Sequence, residues 1–574
     1  MNRIVLAVLV AAAFALSGCT GIPSSSSPEK LGTVGPAAPS AQQVQGPSRN
    51  ADPRTIVSEF LTASASDDPD HVAAQGFLTR EAAQGWSATT LTVVDLTRIG
   101  NFTGHSVVVS GRKLGTVNAA GIYTPALQGG VDEFEFGMRR VSGQWRIDTL
   151  QNGIVLDDAT FQALYQQHPL YFYDLGEHHL VPDPRYSAIS DPAALANWLV
   201  GQLAAGPRPE LQAAVRTELP VNTDPSAVKV VFDAPVQIQV PGAAQLLPAK
   251  RDRLAAQVAI TLQSVVGGSF AIVDNGQAIT VPSTGAKTFS ASDFASAVAP
   301  LNESPALYYV TPSGRVVTED GTPIPGPAGA GGYRLTSVAL AQDGSTDLRI
   351  AGTTGARNNA RLLVGTMGAG LTATSVHGLL SRPAWVPGIA EVWVGDGPRI
   401  YRVDSTGHVR AVPVTSTGSA VDGAVSAVRF SPDGTRVAMV LTSATDEGQV
   451  AQVWVGAVIR TGGGSGQVRV DSLTPISPQG VAVSDVAWND QLKLFTIGRT
   501  IASGDSSVFE VQVDGSLWTA RGISNLPQAP DSITVAENEV AWVSAGGTVW
   551  AQRAGAWVSP GTGPTSGSNP VYLE

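Results

Sequence analysis

Of the groups that could act as nucleophiles in this chain of 574 residues, the readiest is a thiol, and there is one, Cys19. Imidazoles come next: His71, His105, His168, His178, His179, His377 and His408. Only His178-His179 is a local pair. Neighbours on an extended strand point to opposite faces, so the two rings read as a surface or interdomain pair rather than as ligands of one metal. No His-Glu-x-x-His, Gly-x-Ser-x-Gly or phosphate-loop pattern occurs. Gly267-Gly268 follows an apolar helix and precedes a strand, the reverse of phosphate-loop order, and reads as a helix stop. Gly462-Gly463-Gly464 has no helix after it and reads as a loop. The carboxylate pairs Asp67-Asp68, Asp157-Asp158 and Glu319-Asp320 read as solvated turns. Glycoside hydrolysis would need two carboxylates converging at about 5–10 Å in a cleft. The sequence therefore predicts no catalytic residue, no cofactor and no metal ligand.

What Cys19 can do is set by what precedes it. Asn2-Arg3 is a polar, basic start, Ile4 to Leu16 is wholly apolar, and Leu16-Ser17-Gly18 leads into the cysteine. That run is shorter than the roughly 20 helical residues needed to cross a bilayer and matches a signal-peptide core. A removable signal peptide also ends in small residues. The single cysteine of the chain, however, falls where a bacterial lipobox requires it, and the segment is similar to the type in which a diacylglycerol is attached to the thiol before cleavage. The expectation is an acylated, palmitate-bearing Cys19 held on the outer face of the cell membrane. Two or three acyl chains, at about 0.8 kcal/mol per buried methylene, hold a protein there permanently. No thiol then remains for disulfides or catalysis.

The rest of the composition limits partners. There are 36 basic against 47 acidic residues, a net charge of -11, which argues against nucleic acid and gives no polybasic support at a membrane. Membrane attachment must come from the lipid. Arginine far exceeds lysine and only 14% of residues are charged, a usage similar to that of high-GC genomes such as those of actinobacteria.

About 550 mature residues exceed one core and suggest three domains. Residues 1–18 read as the signal segment and 19–50 as a Ser/Pro/Gly-rich tether, reaching about 30 Å as a random coil. Residues 51–166 form an amino-terminal α+β domain. Asp52-Pro53 opens a helix with Ile56, Val57, Phe60 and Leu61 in helical spacing, and Phe77, Leu78 and Trp86 sit in a further helical piece. Strand runs from Leu91, His105, Val131 and Gln144 then suggest a curved antiparallel sheet, similar to the cone of the nuclear-transport-factor superfamily. Residues 167–302 form a second α+β domain. It has a strand at Leu170, a helix from Asp191-Pro192 to Gly206-Pro207 carrying Leu195, Trp198, Leu199 and Leu203, strands at Val228 and Val236, and an apolar-striped helix over 254–265. A hairpin turning at Asn275-Gly276 ends it. This order is similar to the GerMN domain, with Leu203 to Pro207 and the Gln257, Thr261, Leu262 helix carrying the resemblance. That family is not known as catalytic.

Residues 303–574 repeat. Leu340, Trp385, Phe430, Trp488 and Val535 end equivalent first strands, separated by 45, 45, 58 and 47 residues. Second and third strands follow each, as at Glu391 and Arg399 or Lys493 and Val508. Four short strands per 45 residues or so predict an all-β propeller, of five or six blades when Leu307-Tyr-Tyr-Val and Arg315-Val-Val are included. Asp343, Asp433 and Asp490 read as turn carboxylates bonded to backbone N–H groups. Trp385, Trp393, Trp454, Trp488, Trp542 and Trp550 could be sugar platforms, but strand positions favour packing between blades.

Ser431-Pro432-Asp433-Gly434 resembles the turn of TolB-like blades. Lipobox, tether, α+β domain, GerMN-like domain and propeller, in that order, resemble the LpqB family of actinobacterial lipoproteins over nearly the whole chain. The resemblance implies an accessory regulator of envelope homeostasis and cell division, linked to the MtrA–MtrB two-component system. Its implied partner is the extracellular domain of the sensor histidine kinase, and it implies no enzyme activity. The alternative is a lipoprotein that binds envelope glycan or a small ligand, for which a pocket with Trp or Tyr walls and convergent polar groups would speak.

Overall fold

Asp52 starts the first helix of the structure, a computed structural model, and shows how local chemistry sets the elements. Its carboxylate accepts from the N–H groups of Arg54 and Thr55 at 3.0 and 3.2 Å, Pro53 fills the first turn, and α1 (Pro53–Ser64) follows. The structure describes residues 46–574, apart from 69, 127–129, 299–304, 343–347, 405, 417–422, 446–447, 462–465, 479, 524, 537–539, 560–565 and 574. The signal segment with Leu16, Ser17 and Gly18, the lipidation candidate Cys19 and most of the tether lie outside the described residues. So do Asp343 and Gly462 to Gly464. Residues 45–574 form one compact unit. No described helix is long and apolar enough to cross a membrane.

Phe60, at the centre of the buried face of α1, meets Phe77, Trp86 and Phe136 edge-on, with ring centroids 6.5, 5.5 and 5.9 Å away. The short helices α2 (Val72–Gln75) and α3 (Arg80–Gly85) follow. Phe77 and Leu78 are not helical as the sequence suggested. They lie between α2 and α3, where Leu78 bridges Ile147 of the sheet. Burial won over helical spacing: Phe77 is fully buried against Phe60. The sheet comprises β1 (Leu91–Ile99), β2 (Ser106–Val117), β3 (Tyr123–Pro125), β4 (Val131–Val141), β5 (Gln144–Thr149) and β6 (Ile154–Asp157), in the order β5-β4-β2-β1-β6 with β3 beside β2. It is not wholly antiparallel, because β6 pairs parallel with β1. Four residues join the two edge strands and span about 17 Å at full stretch, whereas five flat strands would set the edges about 19 Å apart. The sheet must curl, and α1 fills its concave side.

α4 (Asp158–Leu164) leads into the middle region, where β7 (Gln166–Gln167), β8 (Leu170–Asp174), β9 (Leu180–Asp183), β10 (Tyr186–Ser187) and β11 (Val215–Arg216) form two small sheets, β10-β7 and β11-β8-β9. A second layer carries β12 (Lys229–Val231), β13 (Val236–Gln239), β14 (Phe270–Asp274) and β15 (Gln277–Ala278), with β13 and β14 parallel. A crossover helix must join a parallel pair, and α6 (Pro248–Leu262) does so after α5 (Pro192–Ala205). Asp191 caps α5 through the Ala194 N–H at 2.7 Å, and Gly206, at φ +103°, ends it. Trp198 packs against the same core as Leu195, Leu199 and Leu203, at its margin. It is partly exposed, and its ring lies over Gly121 of the amino-terminal region. α6 is buried on every side from Leu254 to Leu262, more than a stripe. Its polar residues serve the neighbouring backbone: Gln257 bonds the Glu218 N–H and the Tyr171 carbonyl, both at 2.8 Å, and Thr261 accepts from the Tyr171 N–H.

Among the described residues, six sheets make the propeller. The inner strands are Leu335–Ala341, Ala384–Val386, Ala424–Phe430, Val481–Trp488, Ser532–Thr534 and Ser568–Tyr572. Each lies beside the next, and the last lies beside both Ser532–Thr534 and Leu335–Ala341, so the ring closes at six blades. Leu307–Val310 and Val316–Thr318 are the second and third strands of the first blade, whose inner strand comes from the other end of the chain. The indole N–H groups of Trp385 and Trp488 donate to Ala339 and Arg429 carbonyls of the preceding inner strands at 3.1 and 3.0 Å. Packing between blades is thus the first role of these tryptophans.

Blades three and four are pinned by Glu391, 4% exposed, which accepts from Arg402 at 2.5 Å, Arg460 at 2.9 Å and the Trp393 indole at 2.7 Å. Burial pushes its carboxyl up, but Arg460, Trp393 and Arg402 together outweigh this and hold it below the ordinary range. A depressed carboxylate contributes stability above its unfolded pKa and loses it as pH falls through the folded one. Glu391→Gln is therefore expected to cost about 3–5 kcal/mol near neutrality, because the buried Arg402 and the half-buried Arg460 lose their counter-charge. It should also flatten the acid limb of the stability profile. Urea unfolding followed from pH 7 to pH 3 checks both, and a parallel loss in native and variant chains would refute the assignment.

Candidate functional site

Most residues with chemical potential in the sequence are engaged in holding turns and helix ends. Asp157 caps α4 through the Thr160 N–H at 3.0 Å, and Asp158 accepts from Gln162 at 2.8 Å. Asp68 accepts from the Asp70 and Val72 N–H groups at 3.0 and 2.8 Å, and Asp67 holds Ser190. Glu319 pairs with Arg553 at 3.1 Å, while Asp320 accepts from Thr318 and from the Thr322 N–H. Asp433 accepts from Ser431 at 2.7 Å and the Thr435 N–H at 2.8 Å, as the turn reading requires, and Asp490 accepts from the Leu492 N–H. The backbone N–H groups of His178 and His179 both bond Asp174 Oδ1, and their rings diverge to centroids 6.3 Å apart. His178 points to solvent, whereas His179 turns toward the propeller. Among the described residues, no group of three or more His, Cys, Asp or Glu side chains is placed to hold a metal.

The structure brings a different set together at the propeller axis. A cavity of about 480 Å³ opens where the inner strands finish. Trp385, Phe430, Trp488 and Tyr572 wall it, the turns bearing Pro387, Asp433 and Asn489 form its rim, and His179 and Pro305 overhang it. The floor is ionic. Arg382, just ahead of the third inner strand, reaches across the axis to Asp485 of the fifth, to the Ile533 carbonyl of the sixth at 3.2 Å and to the Pro570 carbonyl of the first at 3.5 Å. Asp485 also accepts from the Ile533 N–H at 2.8 Å, and Arg429 Nη2 stands 3.9 Å from its other oxygen. One side chain thus ties four blades and stops the channel. The sequence drew attention to the tryptophans but not to Arg382, Arg429 or Asp485. Their signal is slight: charged residues in or just ahead of inner strands, at offsets where the other blades hold Ala, Ser or Thr.

A second concentration of charge locks the three regions together. Asp183 and Arg185, 0% and 1% exposed, pair at 2.7 Å on either side of Pro184. Asp183 also accepts from the Arg208 N–H at 2.8 Å. Arg185 donates to the Ala120 carbonyl at 3.1 Å and Arg208 to the Tyr123 carbonyl at 3.1 Å, both in the amino-terminal region. From the propeller, Arg436 donates to the Pro182 carbonyl, and Ser516 meets the Tyr186 hydroxyl at 2.5 Å. Arg208, Arg436 and Asp514 border a further cavity of about 50 Å³. Burial pushes the Asp514 carboxyl above its ordinary range, against the attraction of Arg208. The core of the middle region also takes in Ala457 and Ile459 of the fourth blade. A pair of opposite charges inside the apolar run from Leu180 to Tyr186 is the sequence signal that could have revealed this junction.

Residues 46–162 match the family model described as Lipoprotein LpqB, N-terminal domain, and residues 314–572 match the Lipoprotein LpqB beta-propeller domain. Among curated relatives, the Lipoprotein LpqB of Mycolicibacterium smegmatis is 34% identical over 477 residues, covering 78% of this chain and 79% of that one. The Lipoprotein LpqB of Rhodococcus opacus is 29% identical over 558 residues, covering 92% and 89%. That of Mycobacterium tuberculosis is 30% identical over 468 residues, covering 77% and 79%. A solved gluconolactonase structure from Xanthomonas campestris overlaps 47% of this chain and 89% of its own at 16% identity, with a TM-score of 0.30, too low to bear on function.

Proposed function

The chain belongs to the LpqB lipoprotein family, and on that premise we propose that it is a lipid-anchored accessory regulator of an MtrB-like sensor histidine kinase at the outer face of the cell membrane. The anchor is the acylated Cys19 thiol, and the segment between it and the first helix is a tether reaching about 30 Å. Tethering confines the folded body to the layer in which the kinase exposes its extracellular domain, which raises their effective concentration. The observation that carries the reading is the buried ionic junction. It makes the amino-terminal region, the middle region and the propeller one body, so that a contact made by any of them places the other two as well. Such a body can bias a partner between two states by binding one of them better. Nothing in this role needs a catalytic residue, a metal or a cofactor.

The test is crosslinking in intact cells through the folded body, combined with the phosphorylation state of the cognate response regulator. The native chain is expected to capture the kinase extracellular domain. Cys19→Ser is expected to move the protein from the membrane to the released fraction and to bring regulator phosphorylation to the level of a deletion strain, with the fold intact. Equal phosphorylation in native, Cys19→Ser and deletion strains would refute the reading. So would capture of cell-wall synthesis proteins alone.

A further inference from the structure

A cavity of about 320 Å³ lies where the amino-terminal and middle regions meet. Asp67, Leu91, Val117 and Asn118 line it, together with Tyr165 at the end of α4 and Trp198 of α5. The approach of the two regions is set at Gly121. Its backbone is left-handed, at φ +72°, and its carbonyl accepts from the Tyr186 N–H at 2.8 Å. A Cβ there would stand 2.7 Å from the Tyr186 carbonyl oxygen and 2.8 Å from the Trp198 ring, so only glycine fits. Trp198 is thus seated against backbone at the margin of the core, partly exposed, as a wall of the cavity.

Trp198 and Tyr165 supply flat apolar surface, and the polar groups beside them have bonding capacity left. Asp67 takes the Ser190 hydroxyl on Oδ2, which leaves Oδ1 to accept. Asn118 spends its side-chain oxygen on the Ala120 and Ile122 N–H groups, both at 3.0 Å, which leaves its amide nitrogen to donate. The Tyr165 hydroxyl and the Trp198 indole N–H are bonded to nothing among the described residues. Burial pushes the Tyr165 phenol up to about 12, so it keeps its proton and can donate. An aromatic wall beside fixed donors and acceptors matches a pyranose ring, which has an apolar C–H face and a rim of hydroxyls. Among the described residues no lysine or arginine lines the cavity, whereas Asp67 and Asp68 do, and burial holds the His71 ring below its ordinary range and so uncharged near neutrality. A sugar bearing an acid group is therefore disfavoured.

We infer that this cavity binds an uncharged pyranose, with the C–H face of the ring on Trp198 and its hydroxyls on Asp67, Asn118 and Tyr165. The volume stands at the lower end of the range for ligand pockets and suits a single ring with its substituents. A bound ring touches the amino-terminal and middle regions at once, and so adds a tie between them that the buried ionic junction does not supply. The assignment is independent of any kinase partner, because the isolated chain suffices to bind. A free sugar and the outer end of a glycan chain share this chemistry.

The test is isothermal titration of the full-length chain in detergent with glucose, with N-acetylglucosamine and its linear tetramer, and with glucuronate. At least one of the two neutral monosaccharides is expected to bind with a dissociation constant on the order of 0.1–1 mM, and glucuronate about tenfold more weakly or worse. A tetramer that binds as tightly as its monomer marks the glycan end as the source, and one about tenfold weaker marks the free sugar. Trp198→Ala is expected to weaken the neutral sugar about tenfold, and Trp198→Tyr, which restores a stacking ring, to recover most of the loss. Should Trp198→Ala fail to fold, Ala119→Trp at the exposed rim serves instead and is expected to abolish binding by filling the cavity. Failure of both neutral monosaccharides to bind the native chain at about 20 mM would overturn the assignment. So would glucuronate binding as tightly as glucose, or full affinity in a folded Trp198→Ala chain.

Discussion

A chain ending at Thr565 is expected to lose the cooperative fold of its propeller. The missing residues include Ser568–Tyr572, the inner strand of the first blade. Leu307 pairs with Tyr572 and Tyr308 with Val571, so removal leaves Leu307–Val310 as an open edge in the middle of the ring. It also removes ties to three other places. The Tyr572 hydroxyl donates to the Val540 carbonyl at 2.7 Å, Asn569 donates to the Thr336 carbonyl at 2.8 Å, and the Pro570 carbonyl accepts from Arg382. Burying Val571 and Tyr572 is worth about 3–6 kcal/mol at 1.5–3 kcal/mol per side chain, before the open edge is counted. Native domains are stable by only about 5–15 kcal/mol, so the loss takes most of the margin. The single change Tyr572→Ala is the milder form and is expected to cost about 3–5 kcal/mol. Thermal unfolding followed by near-ultraviolet circular dichroism reads both. A truncated chain that melts within two or three degrees of the native one, a shift worth about 1 kcal/mol, would show that the ring does not depend on this closure.

That closing strand also shows why the sequence disclosed some features and hid others. Helix ends are local chemistry, and they were legible: Asp52-Pro53 and Asp191-Pro192 open helices where the caps demand, Gly206 ends one, and the Asn275-Gly276 turn stands between paired strands. The propeller was legible because five inner strands recur at a near-constant spacing. The sixth escaped because it is separated from its blade by some 250 residues, and pairing at that distance leaves no periodic trace. Phe77 and Leu78 misled for the opposite reason, since their neighbours are helical but tertiary contacts with Phe60 and Ile147 decide their conformation. The parallel pairing of β6 with β1 is a property of the curled sheet as a whole and not of either strand.

Charge was the least legible part of the candidate sites. Asp485 and Arg382 are ordinary residues in sequence, separated by 103 positions, and become a plug only when six blades close around one axis. The residues read as possible ligands or acids fared differently because short polar side chains near turns have a local use. Asp68, Asp157 and Asp433 each found backbone N–H groups within five residues. The Cys19 motif lies outside the described residues, and its reading rests on the sequence around it.

Replacing Asp183 with Ala is expected to uncouple the three regions. The change leaves Arg185 and the Arg208 backbone N–H without their common acceptor, in a site where Asp183 and Arg185 are wholly removed from solvent. A buried ion pair can contribute little net stability, yet removing one partner leaves the other charge desolvated, at a cost of about 3–5 kcal/mol. Three arginines, Arg185, Arg208 and Arg436, meet here, so the loss of one carboxylate also adds mutual repulsion that the native junction screens. The cost should fall on the contacts between regions, because the propeller closes on itself and the core of α1 is built from Phe60, Phe77 and Phe136 without using the junction. Calorimetry of the native chain is expected to show the regions melting together. In Asp183→Ala the transition should split, with the amino-terminal and middle regions melting first and proteolysis opening the segment between Tyr186 and Asp191. Asp183→Asn keeps an acceptor oxygen for the Arg208 N–H but not the charge, and should fall between the two. If Asp183→Ala merely lowers a single transition, the body is held by apolar contacts such as those of Ala457 and Ile459, and the ionic junction does not set its rigidity. If the transition splits and the proposed kinase regulation is lost while the proposed membrane attachment persists, the joint placement of the three regions, and not the surface of one alone, is what the proposed partner recognises.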